Sequence, residues 1–337
     1  MNVVYSSSDL FAEIVAVSIV SLLENCLGER IHIYIINNGI KLENQKKLRT
    51  LVEKYDQKLE FLALPDIEKI VGRKISVGRW NISTFGRCFL CSIMPLSIDK
   101  MLFIDADTIV RHSLVDIYNM DMGNKAVLGV DDCRGGAYRK NVGLPYAHEY
   151  INCGFMLINL KLWRKINVEQ QCIDFINDHN GDITYMDQGV LNGVLGKADL
   201  IGLISPRYNA QRLYFDFSYN DFIKIRRPAY HYAENEYEEA IKDPIVVHFT
   251  TCFITGTRPW NDNDTHPYKN EYLRYKELTP WANAPLWADD RKKGKKIMSF
   301  VCQHMPGALM ITGISFVHAV LYPMVRNIKM KKRNRRK

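Results

Sequence analysis

Residues 101–110 read MLFIDADTIV. Four apolar residues lead into two carboxylates one residue apart, Asp105 and Asp107. The apolar run predicts a buried strand over 101–105. In an extended segment residues i and i+2 point the same way, so the two carboxylates share one side. Charging the end of a buried strand is costly without a ligand, and the pair therefore reads as functional. Two chemistries use such a pair. In one, the first Asp of D-x-D-x-T is a nucleophile toward phosphate. In the other, both carboxylates clamp a metal ion.

Working outward, VVYS (3–6), IHIYIIN (31–37) and LEFLAL (59–64) predict strands. Helix-period segments at 12–26 and 42–55 separate them, and Gly28 stops the first. STFGRCFLCSIMPL (83–96) predicts a helix broken near Pro95. Beyond the aspartates, 125–130, 153–160, 199–204 and 244–249 predict further strands. Helices are expected around 168–179 and over 186–195, the second with Asp187 near its start. This order predicts an α/β fold with a mostly parallel sheet covered on both faces. Ligands of such sheets bind outside the carboxyl ends of the strands, where Asp105 and Asp107 fall. Residues 205–243, rich in Tyr, Arg, Asp and Asn with weak periodicity, predict long functional loops.

The chain of 337 residues is 47% hydrophobic and 24% charged, a globular composition long enough for one large domain or two moderate ones. MNVVYSSS runs straight into a strand with no basic or apolar leader, so a cytoplasmic protein is expected. The eight cysteines are scattered, mostly among apolar residues, and predict free buried thiols. Cys88 and Cys91 form a lone C-x-x-C with no second pair for zinc. The net charge of +8 is uneven: residues 291–337 hold 13 Lys and Arg and no acid, leaving 1–290 at −5. The body is mildly acidic and the tail strongly basic.

The two chemistries make different demands on the rest of the chain. A haloacid-dehalogenase-like phosphatase places its nucleophilic Asp on the first strand of its domain. Here about a hundred residues of α/β pattern precede Asp105. Such an enzyme also needs a later Ser or Thr, a Lys and an acidic pair. Asp131 and Asp132 follow too soon to leave room for them. A metal clamp needs a distant third ligand, and VVHFTTCFITGTRPW (246–260) supplies His248 at a strand end. A His and two Asp suit Mn²⁺. Arg258 adds a cation able to neutralise a leaving phosphate.

Four blocks carry a resemblance: VVYSSSDLFAEIVAVSIVSLLEN, STFGRCFLCSIMP with DKMLFIDADTIVRHSL, YINCGFMLINLKLWR with YMDQGVLNGVL, and VVHFTTCFITGTRPW. Together they resemble the family-8 retaining glycosyltransferases, the group of bacterial lipopolysaccharide galactosyl- and glucosyltransferases and of glycogenin. The resemblance implies a GT-A fold, a UDP-sugar donor and Mn²⁺ (or Mg²⁺). It implies that Asp105, Asp107 and His248 ligate the metal, with Ala106 between the aspartates at the donor. It puts Arg87 at the donor sugar or the metal loop. Asn152 and Cys153 would line the sugar pocket, with an acid at Asp131 or Asp132. Asp187 and Gln188 would sit at the sugar, Gln188 nearest the anomeric carbon. Ser6 and Ser8 fall where uridine binds, and Gly256 and Arg258 close over the diphosphate.

Departures from the family pattern bear on these roles. Ser8 stands where Asp is usual and Phe11 where Tyr is usual. Arg258 replaces a Lys, keeping the charge and adding a bidentate grip. HFTTCFITG is longer than usual, so Gly256 and Arg258 are matched by motif rather than spacing. Gly189 follows Gln188, where some relatives are acidic, so no carboxylate nucleophile stands at that position. Front-face transfer is the expected mechanism.

Residues 305–323 contain no Lys, Arg, Asp or Glu, close to the length that spans a bilayer. Basic clusters flank them on both sides, against the positive-inside rule. Thr312, Ser315 and His318 form a loose polar stripe. The expectation is an interfacial helix on anionic headgroups, at the inner face of the plasma membrane. The organisation expected is a GT-A catalytic domain over 1–265, a linker over 266–296 and a membrane-attaching tail over 297–337. The acceptor expected is an oligosaccharide or glycolipid, with Tyr185, Asn209 and the aromatic stretch 208–219 on its side. KMKKRNRRK stands beside no recognition module, so nucleic acid is not an expected partner.

Overall fold

The computed structural model describes residues 1–78, 81–251 and 256–334, the side chains of 329–334 excepted. Ten strands are present among them: β1 (Asn2–Ser8), β2 (His32–Asn38), β3 (Lys58–Ala63), β4 (Lys100–Ile104), β5 (Thr108–Val110), β6 (Val127–Asp131), β7 (Ile151–Asn159), β8 (Ile201–Leu203), β9 (Ala210–Gln211) and β10 (Val246–His248). Seven form a sheet in the order β3-β2-β1-β4-β7-β6-β8, and three form a smaller one, β5-β10-β9. β3, β2, β1 and β4 run parallel. β7 is antiparallel to both β4 and β6, so the sheet is mixed.

The apolar runs become strands because both faces of the large sheet are covered. Val3, Val4 and Tyr5 are fully buried, as are Met101 to Ile104. Helix Ala12–Asn25 carries an apolar surface nearly all round and is buried almost throughout, wedged between the two sheets. It grips β5 by polar contacts. Ser21 Oγ accepts from the Val110 N–H at 2.9 Å, and Ser18 Oγ lies 2.9 Å from Thr108 Oγ1.

Three expectations change in detail. Residues 244–249 do not join the large sheet. β10 pairs antiparallel with β5, and the register sets His248 opposite Thr108. Residues 83–96 begin as a 3-10 helix, Ile82–Phe89, before a short α-turn at Leu90–Ile93. Gly86 packs closely there: a Cβ would lie 2.9 Å from Leu64 Cδ1, so the leucine would have to shift. Residues 205–243 are mostly helical rather than looped: Arg212–Asp216, Tyr219–Arg226 and Glu234–Lys242. The tyrosines that blurred the periodicity are the packing itself. Tyr214 packs edge-to-face on Phe222 and at a tilt on Tyr237, with ring centroids 5.4 and 4.9 Å apart.

Residues 266–296 pack onto the body. Helix Lys269–Glu277 buries Tyr272 and Tyr275, and Lys276 pairs with buried Glu13 at 2.8 Å. A helical rod then runs from Gly307, and its segment Gly307–Ile328 is long and apolar enough to cross a membrane by length and composition. It lies along the body. Arg227 donates to Ser315 Oγ at 2.8 Å, and Arg326 pairs with Asp182 at 2.9 Å. Its other face exposes Leu309, Phe316, Val317, Leu321, Met324 and Val325.

Candidate active site

The turn between β4 and β5 holds the D-x-D pair. Its shape follows from Thr108, whose hydroxyl donates to the Asp105 carbonyl at 2.9 Å and contacts Ser18. Ala106 is buried between the carboxylates. The antiparallel β5–β10 register then brings His248 to them. The Phe249 N–H donates to the Asp107 carbonyl at 2.9 Å, fixing the crossing. His248 Nε2 lies 3.3 Å from Asp107 Oδ1 and 3.9 Å from Asp105 Oδ2. One ligand atom from each of the three lies within 4.8 Å of the others.

The supporting residues orient this set. His248 Nδ1 lies 2.8 Å from Asn209 Oδ1, and Asn209 Nδ2 donates to Asn152 Oδ1 at 2.9 Å. That chain makes Nδ1–H the donor and turns Nε2 toward the aspartates, where the neutral imidazole would offer its lone pair to a cation. Asn209 is fully buried behind the imidazole, so it is a positioning residue rather than an acceptor-side one. Gly154 makes room for the ring: a Cβ there would lie 2.3 Å from His248 Cε1.

Charge in the site is tightly balanced. Burial would raise the Asp107 carboxyl, but His248 and Arg258 outweigh it and hold it below the usual range. Burial would lower the His248 imidazole, yet Asp107 lifts it above its ordinary value. Arg258 lies 3.3 Å from Asp107 Oδ2. Arg87, buried in the 3-10 helix, bridges Asp105 at 2.7 Å and Asp187 at 3.0 Å. Burial pushes the Asp187 carboxyl up to about 6, with Arg87 pulling against it. Donors O, O and N that converge this closely fit a divalent cation.

The cavity beside these groups measures about 260 Å³ and is lined by Arg87, Asp105, Asp107, Asn152, Asp187, Gln188, His248 and Arg258, among others. Tyr185 also lines it. Of the two adjacent acids, Asp132 is the one turned to the site. It accepts from Gln188 Nε2 at 3.1 Å, Gln211 Nε2 at 3.2 Å and Arg134 Nε at 2.6 Å. Burial would raise it, but Arg134 and Arg226 bring it down to about 2. Asp131 faces away and pairs with fully buried Arg139 at 3.1 Å.

Not every expected residue lines this cavity. Cys153 does not offer its side chain to the cavity. It alternates with Asn152 and Gly154 on β7, and its thiol packs into the opposite core. Its backbone still takes part, the carbonyl accepting from Arg87 and the N–H donating to Gln188 at 3.4 Å. Ser6 and Ser8 sit at the carboxyl end of β1, apart from the residues lining the cavity. Gly256 is also outside the lining, its open side toward Arg291. Residues 252–255 of the HFTTCFITG stretch lie outside the described residues. Sequence reasoning missed Arg134, Gln211, Arg226 and Gly154. Only Gly154 carried a signal, since a glycine inside a strand marks a close approach.

Comparison with known proteins agrees with this geometry. The model of glycosyl transferase family 8 matches residues 2–264. General stress protein A of Bacillus subtilis is 29% identical over 83% of this chain and 94% of its own length. Lipopolysaccharide 1,3-galactosyltransferase of Salmonella typhimurium is 23% identical over 85% and 80% respectively. Among solved structures, the galactosyltransferase LgtC with donor and acceptor sugar analogs superposes with a TM-score of 0.70. It has 20% identity, and the superposition covers 84% of this chain and 99% of that one.

Proposed function

The chain belongs to glycosyl transferase family 8, and from that premise we propose that it moves a hexose from a UDP-sugar to a glycan acceptor with retention of configuration. The observation that carries this reading is the convergence of Asp105, Asp107 and His248 within 4.8 Å, beside a cavity that Gln188 and Arg258 also line. Mn²⁺ or Mg²⁺ held by these three residues would neutralise the donor diphosphate. The donor hexose in this reading is glucose or galactose. A lipopolysaccharide-type or lipid-linked acceptor accords with the named activity of the Salmonella relative and with the exposed apolar face of the terminal helix. The reading places the protein on the inner face of the membrane. The phosphatase alternative has no support from the family comparison, and the Thr108 hydroxyl is engaged by Asp105 and Ser18.

The protein's own groups divide the work. Arg258 would grip the diphosphate as it departs. Arg87 holds Asp105 and Asp187 at fixed separation across the sugar position. Gln188 is held at both ends of its amide, donating to Asp132 and accepting from Cys153, which fixes the group at the cavity wall. Gly189 brings no carboxylate, and a Cβ there would meet the Thr184 carbonyl at 2.1 Å. The reading is therefore front-face transfer. The acceptor oxygen bonds the anomeric carbon as its bond to the β-phosphate oxygen breaks, and the acceptor proton passes to that phosphate.

The test is a hydrolysis panel with Mn²⁺ over UDP-glucose, UDP-galactose and their N-acetyl forms. Turnover of one hexose donor that is lost in Asp105→Asn supports the reading. No hydrolysis of any, together with no UDP binding by calorimetry, sinks it. A trapped glycosyl-Asp or glycosyl-Glu adduct would overturn the front-face step alone.

A further inference from the structure

Two arginines line the cavity without touching the candidate metal set, and they share one carboxylate. Arg134 donates from Nε to Asp132 and from NH1 to the Tyr185 hydroxyl at 2.8 Å. Arg226 ends helix Tyr219–Arg226 and also lines the cavity. The two segments abut: the Ala229 N–H donates to the Arg134 carbonyl, and a Cβ on Gly135 would lie 3.6 Å from the Arg226 carbonyl. Among the described residues, Arg226 has no carboxylate within ion-pair distance, and its solvent-shielded Nε has no hydrogen-bond partner. Asp132 is already spent on Arg134, Gln188 and Gln211. One carboxylate thus faces two guanidinium groups, which leaves the pair with a net positive charge, and the planar fork of Arg226 matches phosphate.

The surroundings narrow the ligand. The Arg134 guanidinium lies 5.6 Å from the Tyr138 ring centroid, and the Tyr138 hydroxyl donates to the His318 carbonyl of the terminal helix. Tyr322 of the same helix packs on Tyr138 and on cavity-lining Tyr185, with centroids 6.3 and 6.5 Å away. The arginine pair thus sits between the reacting cavity and a helix whose outer face is apolar. Neither arginine forms an ion pair or hydrogen bond with Asp105, Asp107, His248 or Arg258, which would serve the donor diphosphate.

We propose that Arg134 and Arg226 form an anion subsite for a phosphate group carried by the acceptor glycan. The acceptor class is then a sugar joined through phosphate to its anchor, presented beside the terminal helix. This rests on the glycosyl-transfer reading and adds a ligand contact to it.

The test uses the full chain with Mn²⁺ and the UDP-hexose it hydrolyses. Two soluble acceptors are compared, a short alkyl hexoside and its alkyl-phosphate-linked counterpart. The phosphate-linked acceptor is expected to have a KM about tenfold lower. That preference should vanish in Arg226→Gln and persist in part in Arg226→Lys. Because the readout is a ratio within each variant, a general loss of activity does not mimic it. Inorganic phosphate should compete with the phosphate-linked acceptor and not with the neutral one. Equal KM values for the wild type, or an unchanged ratio in Arg226→Gln, would overturn the proposal. So would a rise in donor KM in that variant with the neutral acceptor, which assigns the pair to UDP. If no UDP-sugar is turned over, the transfer reading fails by itself, and calorimetry with inorganic phosphate decides the subsite. Binding lost in Arg226→Gln keeps the subsite, and equal heats in both proteins remove it.

Discussion

At the scale of single residues, the candidate metal set depends on a hydrogen atom. Gly154 faces His248 so closely that a methyl group would lie 2.3 Å from Cε1 and 2.6 Å from Nδ1. The Gly154→Ala variant should therefore push the imidazole off Asn209 and lower Mn²⁺ affinity about 10- to 100-fold. Calorimetric Mn²⁺ titration checks this, and wild-type affinity in a folded variant would refute it. A second residue sets a pH response. His266 is packed against Phe215 and Phe249, and its Nδ1 accepts from the Tyr268 N–H at 3.1 Å. Burial, with Arg212 adding to it, pushes its imidazole down to about 3. Below the ordinary histidine value the unfolded chain binds a proton that the folded chain refuses. Stability contributed by this residue is thus complete above pH ~6.5 and is lost as pH falls toward 3, at up to ~1.4 kcal/mol per pH unit. Urea unfolding from about pH 7 to about pH 5 should show a shallower pH slope in His266→Asn than in wild type. Identical slopes would remove His266 as the cause.

At the scale of elements, the carboxyl ends of β4 and β6, the amino end of the antiparallel β7 and the last residue of β10 carry the site, and they were legible to different degrees. β1 and β4 could be read because their apolar runs are buried on both faces, and the D-x-D pair because it ends one of them. His248 was legible as a strand end. The small sheet that delivers it was not, since pairing of β5 with a strand far along the chain leaves no local signal. Residues 131 and 132 illustrate the limit. Neighbours on a strand face opposite ways, so one aspartate enters the cavity and the other the core, and a sequence alone does not fix the phase. The helices of 205–243 were hidden because aromatic rings fill their interfaces irregularly. The inward acid leads to a prediction about the end of β6. Arg139 is fully buried, reaches both Asp131 oxygens at 3.1 and 3.2 Å and also holds the Arg134 and His148 carbonyls. Removing one partner strands the other charge, so Arg139→Met should cost about 3–5 kcal/mol. The double variant Arg139→Met with Asp131→Asn should recover part of that in chemical denaturation. No recovery would show that the carbonyl bonds, rather than the charge pair, set the cost.

At the scale of the whole molecule, the proposed membrane seat joins the charge asymmetry to the terminal helix. The helix is apolar outward, where Phe316, Val317, Leu321 and Met324 are exposed, and tied inward by Arg326 to Asp182 and by Ser315 to Arg227. A helix crossing a bilayer could not keep those polar ties to a catalytic body that remains in water. Lying in the interface keeps them and lets the outward side chains enter the headgroup boundary. The flanking lysines and arginines would then sit at anionic headgroups, each worth about 1 kcal/mol and screened by salt. The full chain is thus expected to sediment with vesicles containing anionic lipid, to be released by high salt in part and by alkaline carbonate in full. Replacing Phe316 and Val317 by Ser should weaken binding at every salt concentration, because it removes the salt-independent apolar share. Retention after alkaline extraction would instead identify a spanning helix. The same experiment bears on catalysis, because Tyr322 of the helix packs on Tyr185 at the cavity wall. Seating the helix on a vesicle should steady that wall and lower the KM for the acceptor more than the KM for the donor. An equal change in both would separate membrane binding from the acceptor side of the site.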